Sequence, residues 1–246
     1  MGRLFLGTSG FSYDEWVGAF YPPGTSSQGR LAFYAERFNS VEINSTFYRF
    51  PTADMLGRWR GETPSGFSFS FKAGSKITHR LRLAGAEREA ADFFDRLSLL
   101  GDRLGAVLFQ LPPYLKRDDR LAAFLAALGP SGPRLAFEFR HASWYDESTY
   151  EALAAAGAAL CLADGTGMPA GTEVKAVARD LTGSAGFAYL RLRGQDYSPA
   201  DLGTWADFVA GLLGSADVCA YFKHEEEARG IDYAVEFGRL VGGGPY

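Results

Sequence analysis

Cysteine and histidine are scarce in this chain, at two and three of its 246 residues. Two cysteines cannot build a disulfide scaffold. Cys161 and Cys219 each sit inside an apolar run, where a free thiol behaves as a small hydrophobe. Both read as core residues of a protein kept in a reducing compartment, expected to be the cytoplasm. No HExxH, CxxC or EF-hand spacing occurs, so no recognised metal motif is present. A Walker loop and a nucleophile elbow are missing as well. The formal charge of −4 lacks the basic excess of a broad nucleic-acid face, which makes nucleic acid a disfavoured partner. No run is long enough to span a membrane. The apolar part of MGRLFLGTSG is too short for a signal-peptide core.

What is present is an ordinary globular composition, 47% hydrophobic and 22% charged, able to bury a large core. Strand and helix patterns alternate throughout. Strands are predicted at 3–9 (RLFLGTS), 40–44 (SVEIN), 67–73 (FSFSFKA), 106–111 (AVLFQL), 134–139 (RLAFEF), 158–164 (AALCLAD), 186–194 (GFAYLRLRG) and 217–223 (DVCAYFK). Helical spacing of apolar residues is clearest at 84–101 and 118–129. Ser198-Pro199 reads as a cap with Pro in the first helical turn. The segment 165–182 is the least regular and is expected to hold a mobile stretch. Units of about thirty residues suit βα repeats. Near-continuous apolar strands suit a parallel sheet covered by helices. The expected fold is a single-domain (β/α)8 TIM-like barrel over residues 1–246, with a doubly wound open sheet as the alternative.

Nearly every such strand ends in a polar or charged residue. Buried charge is expensive unless it is paired or used, and strands ending at one rim would gather these groups as a barrel active site does. Glu42 and Asn44 share a strand face by their spacing of two, as do Glu138 and Arg140, and Arg191 and Arg193. Lys72, Gln110, Asp164 and Lys223 close four other strands. His79 lies on the loop after the third strand, His141 and Trp144 follow the fifth, and His224 follows the eighth. Lys72, Arg140, Arg191, Arg193 and Lys223 outnumber Glu42, Glu138 and Asp164. That excess points to a small anionic ligand such as phosphate or a phosphorylated metabolite, since arginine forks suit carboxylate and phosphate. The plainer reading is that these ions neutralise one another, that Trp144 is loop packing, and that the Glu225–Glu227 run is a solvated face.

Several segments together resemble the DUF72 (YecE-like) family: GTSGFSYDEW at 7–16, FYPP at 20–23, VEINSTFYRFP at 41–51, FSFSFKAGSKITH at 67–79, FQLPP at 109–113, FEFRHASW at 137–144, YLRLRG at 189–194 and AYFKHE at 220–225. The resemblance implies a TIM-barrel-like fold and no established reaction. It places Glu42, Asn44, Lys72, His79, Gln110, Glu138, Arg140, His141 and Arg191 on the family's motif positions. It also marks two departures: Arg193 stands where the family usually has His, and Lys223 and His224 stand where it usually has an Asn pair.

The expectation for function is an enzyme acting on a small, possibly nucleotide-like, anionic substrate by acid–base chemistry at the C-terminal rim of the strands. Glu42 or Glu138 would be the base, with Asp164 as a further candidate, and His141 or His79 the acid. Arg140, Arg191 and Lys72 would clamp the anion, with Asn44, Gln110, Arg193, Lys223 and Trp144 completing the pocket. No cofactor is predicted. A divalent metal held by the scattered carboxylates and histidines defines one rival, a metal-dependent phosphodiesterase or nuclease. A non-catalytic sensor of an anionic metabolite is the other.

Overall fold

Eight short strands pair in parallel in the computed structural model, which describes residues 1–165, 168, 172–223 and 228–242. They are β1 (Leu4–Thr8), β2 (Ser40–Ile43), β3 (Ser68–Lys72), β4 (Leu104–Gln110), β5 (Arg134–Glu138), β6 (Ala159–Ala163), β7 (Phe187–Leu192) and β8 (Asp217–Phe222). Helices α1 (Arg30–Ala35), α2 (Ala53–Glu62), α3 (Glu87–Leu97), α4 (Arg120–Leu128), α5 (Glu147–Ala155), α6 (Thr172–Ala185), α7 (Pro199–Leu213) and α8 (Arg229–Leu240) alternate with them. This is the (β/α)8 barrel that the strand pattern predicts, and the open-sheet alternative is excluded. Ser198 and Asp201 form a reciprocal capping box at the start of α7, with Pro199 in the first turn.

The period of two in each strand sorts side chains between two cores. Outward-facing Phe69 and Phe71 stack on Trp59 of α2, with ring centroids 5.7 and 6.4 Å away. Phe109, Phe137 and Phe139 continue that outer layer. Inside the barrel, Phe5, Leu108, Cys161, Tyr189, Cys219 and Tyr221 pack in a separate cluster. Both cysteines are free, buried thiols, and burial pushes Cys219 up to about 12. Each fully buried aromatic in these layers contributes about 1.5–3 kcal/mol.

One expectation needs correction. From Thr172 onward the segment read as irregular is helix α6. Val174, Ala178, Leu181 and Thr182 are its buried positions, a helical spacing masked by the glycines before it. Residues 166, 167 and 169–171 lie outside the described residues.

The hydrogen-bonded strand order begins at β1 and ends at β2, so the cylinder closes between those two. One bridge, Ser9 to Glu42, joins them at the top, where the Gly10 N–H also donates to the Glu42 carbonyl at 2.8 Å. Lower down, side chains replace the ladder. Asn39 accepts from the Leu6 N–H (2.8 Å) and donates to the Leu4 carbonyl (2.7 Å). The Tyr34 hydroxyl accepts from the Thr8 N–H (2.8 Å) and donates to the Ser40 carbonyl (3.2 Å). Gly7 permits this approach, since a Cβ there would sit 1.9 Å from the Ser40 carbonyl oxygen. Asn39→Ala removes two bonds and strands a strand N–H and a carbonyl. It is expected to destabilise the protein by about 2–3 kcal/mol, read as a lower urea midpoint at unchanged slope.

Candidate functional site

At the C-terminal ends of the strands, three inward side chains form a buried ionic triad. Glu42 from β2 and Glu138 from β5 lie on either side of Arg191 from β7, and all three are within 2% of full burial. The Arg191 guanidinium reaches Glu42 Oε1 through Nη2 (2.9 Å) and Nε (3.2 Å), and Glu138 Oε2 through Nη1 (2.6 Å). The remaining acceptor capacity is taken by neighbours. Glu42 accepts from the Ser9 hydroxyl (2.7 Å) and the Tyr189 hydroxyl (2.8 Å). Glu138 accepts from the Gln110 amide (2.7 Å) and Arg140 Nε (3.0 Å). Asn44 Oδ1 lies 3.4 Å from Arg191 Nη2.

Burial alone would push both carboxyls up. The Arg191 charge, with the hydrogen bonds just named, outweighs it for both, and Arg140 adds to it at Glu138. Glu42 is held below its ordinary value and Glu138 falls to about 2. Reciprocally, the two carboxylates hold Arg191 well above its usual range against its own desolvation.

Around this triad sits a rim of further cations. Arg140 is one-quarter exposed. Arg193 Nη1 is shielded from solvent and has no hydrogen-bond partner among the described residues. Its nearest carboxylate oxygen, Glu138 Oε1, is 3.8 Å away, an electrostatic contact too long for a hydrogen bond. Lys72, half-buried at the tip of β3, places Nζ 4.3 Å over the Phe47 ring. Desolvation, then the charge of Arg191, brings its ammonium down to about 8, against weaker support from Glu42 and Glu138. His79 lies on a π-helical turn, Lys76–Arg80, a local irregularity frequent at functional sites. Its ring meets Phe47 edge-on at 4.9 Å and its Nδ1 is 2.9 Å from the Thr78 hydroxyl. Burial and the charges of Lys72 and Arg140 hold it below the ordinary histidine value, so the ring is neutral at pH 7. Thr46 fixes the Phe47 loop by donating to the Lys72 carbonyl at 2.7 Å.

Other candidates stand elsewhere. Asp164 follows β6 on the outward phase and accepts from the Arg193 N–H and the Tyr197 hydroxyl. It ties down the loop after β7 and does not face the triad. Trp144 is turned away from the mouth. It is 1% exposed, stacks on outward-facing Phe139 at 5.0 Å, and donates to the Leu115 carbonyl at 2.7 Å. As a ligand contact it is corrected to outer-layer packing. His141 caps the turn after β5, its Nδ1 accepting from the Ser143 N–H at 3.1 Å. Lys223 follows β8, its N–H donating to the Leu192 carbonyl at 2.9 Å, and His224 to Glu227 lie outside the described residues. Ser9, Tyr189 and Phe47 are site neighbours that sequence reasoning missed. Tyr189 was signalled by its spacing of two from Arg191. Ser9 shares the inward phase of Phe5 and Gly7, and nothing in the sequence marks Phe47.

A cavity of about 470 Å3 opens beside Asn44, lined by Phe11, Ile43, Trp59, Arg58 and Glu62 and by none of the triad. Another of about 980 Å3 lies at the opposite end, against Arg3, Ser68 and Arg134, away from the triad. Among the described residues no group of three or more His, Cys, Asp or Glu side chains is placed to hold a metal, and no helix is long and apolar enough to cross a membrane.

The fold and this mouth define a (β/α)8 barrel with an ionic cluster at the C-terminal ends of its strands. The sequence profile of the family described as "Protein of unknown function DUF72" matches residues 5–245, and the chain belongs to that family. The UPF0759 protein YecE of Escherichia coli K12 is 34% identical over 109 residues, covering 44% of this chain and 38% of that protein. The UPF0759 protein YunF of Bacillus subtilis is 30% identical over 156 residues, covering 60% and 54%. The matched part thus spans little more than half of these relatives at most. A DUF72 family protein of Thermotoga maritima superposes with a TM-score of 0.81 at 26% identity, over 98% of this chain and 99% of that one.

Arg191→Met leaves two buried carboxylates without their shared counter-ion and is expected to cost about 3–5 kcal/mol. Its pH response distinguishes this from lost packing. In the native protein the carboxylates' contribution is full above the ordinary value of 4.5 and fades as pH falls toward about 2. In the variant, burial raises both, so urea unfolding should show stability gained between about pH 7 and about pH 5.

Proposed function

We propose that this barrel is an enzyme for a small substrate bearing a phosphate or carboxylate, working by acid–base chemistry at the rim. The observation that carries the reading is Arg193 Nη1, a desolvated donor with no hydrogen-bond acceptor among the described residues, set beside Arg140 and above carboxylates that Arg191 already binds. An anion entering there gains charge-assisted hydrogen bonds in a partly desolvated site, where they are strongest.

The roles differ from those expected from sequence. Glu42 and Glu138 are poor bases, since their oxygens accept from Arg191, Ser9, Tyr189, Gln110 and Arg140 and Glu138 sits at about 2. A useful general base titrates near the working pH. Lys72, at about 8, meets that condition, and neutral His79 is its neighbour across Phe47. Arg140 and Arg193 hold the anion, while Arg191 fixes the carboxylate pair beneath. The same geometry weakens the metal-dependent nuclease reading. A divalent ion would have to displace a guanidinium from each carboxylate amid further cations.

Phosphate and sulfate are the probes. Titration calorimetry should detect binding, and soaked crystals should place the anion against Arg140 and Arg193. Arg193→Met is expected to weaken the affinity about tenfold, the loss of one charge-assisted bond. Affinity should fall as pH rises through about 8, as Lys72 loses its charge. An anion bound elsewhere, or an affinity that Arg193→Met leaves unchanged, would overturn the assignment.

A further inference from the structure

Lys72 differs from an ordinary surface lysine in what surrounds it. Lys76 pairs with Glu89 and Lys116 is exposed. Lys72 has no ion pair or hydrogen bond among the described residues, only the face of Phe47. Burial disfavours its ammonium most, the charge of Arg191 comes next, and the carboxylates that would support it, Glu42 and Glu138, are already bound to arginine. It stands at the tip of β3 on the inward phase of Ser68 and Ser70 and is only half-buried.

We infer that Lys72 is a nucleophilic amine that forms an imine with a small carbonyl compound carrying a carboxylate or phosphate beside the carbonyl, that anion being held by Arg140 and Arg193. This rests on the anion site proposed above and adds to it a covalent step and a substrate class. Three features favour it. First, burial and the charge of Arg191 bring the amine down to about 8, so far more free base is present near neutral pH than for an ordinary lysine, the condition for amine nucleophiles. Second, the rim arginines would fix an adjacent anion so that the carbonyl carbon lies toward Nζ. Third, neutral His79 shares the Phe47 wall and can carry a proton.

The step balances without any other reactant. The Nζ lone pair adds to the carbonyl carbon as the C–O π bond breaks toward oxygen. A proton passes from nitrogen to oxygen, giving a carbinolamine. Loss of water leaves the C=N bond, which takes up a proton as an iminium. Nothing is oxidised or reduced.

Reductive trapping tests this on the intact wild-type protein. Glyoxylate, glycolaldehyde phosphate and the neutral control propionaldehyde are each added with cyanoborohydride, and modified lysines are mapped by peptide mass spectrometry. With an anionic probe, Lys72 should be alkylated roughly tenfold faster than Lys76, Lys116 or the aromatic-packed Lys175. Inorganic phosphate should slow it, and its rate should rise through about pH 8 and then level off. Preference with glyoxylate alone assigns a carboxylate substrate, and preference with glycolaldehyde phosphate alone assigns a phosphate. Propionaldehyde should show no preference. Uniform labelling overturns the imine assignment, and equal selectivity with propionaldehyde overturns the anionic substrate class. Phosphate bound at Arg193 without selective trapping removes the imine and leaves the anion site standing. Selective trapping by propionaldehyde with no phosphate affinity removes the anion site and this substrate class with it.

Discussion

One guanidinium between two carboxylates is the constraint on which the mouth of this barrel depends. Arg191 enters from β7 and binds Glu42 of β2 and Glu138 of β5, so it ties together strands from three parts of the ring. Two negative charges and one positive charge inside a dry barrel are not neutral. The imbalance is met by three neutral donors, Ser9, Tyr189 and Gln110, and by the rim cations Arg140 and Arg193. An apolar cluster of similar volume would stabilise such a core as well or better. Net stability is therefore a weak reason for a triad to occupy this place, whereas its field at the rim is a consequence no apolar packing would supply.

The barrel is built so that this field points one way. Beneath the triad the interior turns to hydroxyls and apolar groups. Tyr221 bridges Ser40 and Ser70 at 2.7 and 2.8 Å, and Cys161 and Cys219 sit among small and aromatic side chains. The top bridge of the β1–β2 closure is Ser9 to Glu42, and both of its residues belong to the triad's hydrogen-bond set. Closure of the cylinder and placement of the carboxylate are thus one event. The side-chain clasps of Asn39 and Tyr34 lower down keep the two strands in register so that Glu42 meets Arg191.

How far this was legible from sequence follows from what each signal measures. Period-two spacing carries phase, and phase alone puts Glu42 with Asn44, Glu138 with Arg140, and Arg191 with Arg193 on inward faces. Those pairs meet in three dimensions as the pattern predicts. Asp164 falls on the outward phase of LCLAD, beside Leu160 and Leu162, and the same rule read strictly would have excluded it. Trp144 and His141 lie beyond the last strand residue, where no period applies, and there the short turn decides their direction. Protonation was illegible for another reason. Whether Glu138 is a base or a bound counter-ion depends on how many donors reach each oxygen, a property of packing that no spacing encodes.

The same donor count reverses the roles of the charged groups. Carboxylates at a barrel mouth are the first candidates for proton abstraction, but here Arg191 and Arg140 leave Glu138 too acidic for the task. Lys72 responds the other way: burial first, and then the charge of Arg191, disfavour its ammonium and bring it to about 8. Arg191 therefore holds two carboxylates ionised and, together with burial, disfavours the charge of one amine. Arg193 enlarges the cationic cluster, being itself held down by burial and by Arg191. Because a guanidinium stays protonated throughout the accessible pH range, this barrel's rim remains cationic where a histidine rim would discharge near neutrality. The amine thus sits against a fixed positive background, and among Lys72, Arg140, Arg191 and Arg193 it is Lys72 whose charge changes between about pH 7 and about pH 9.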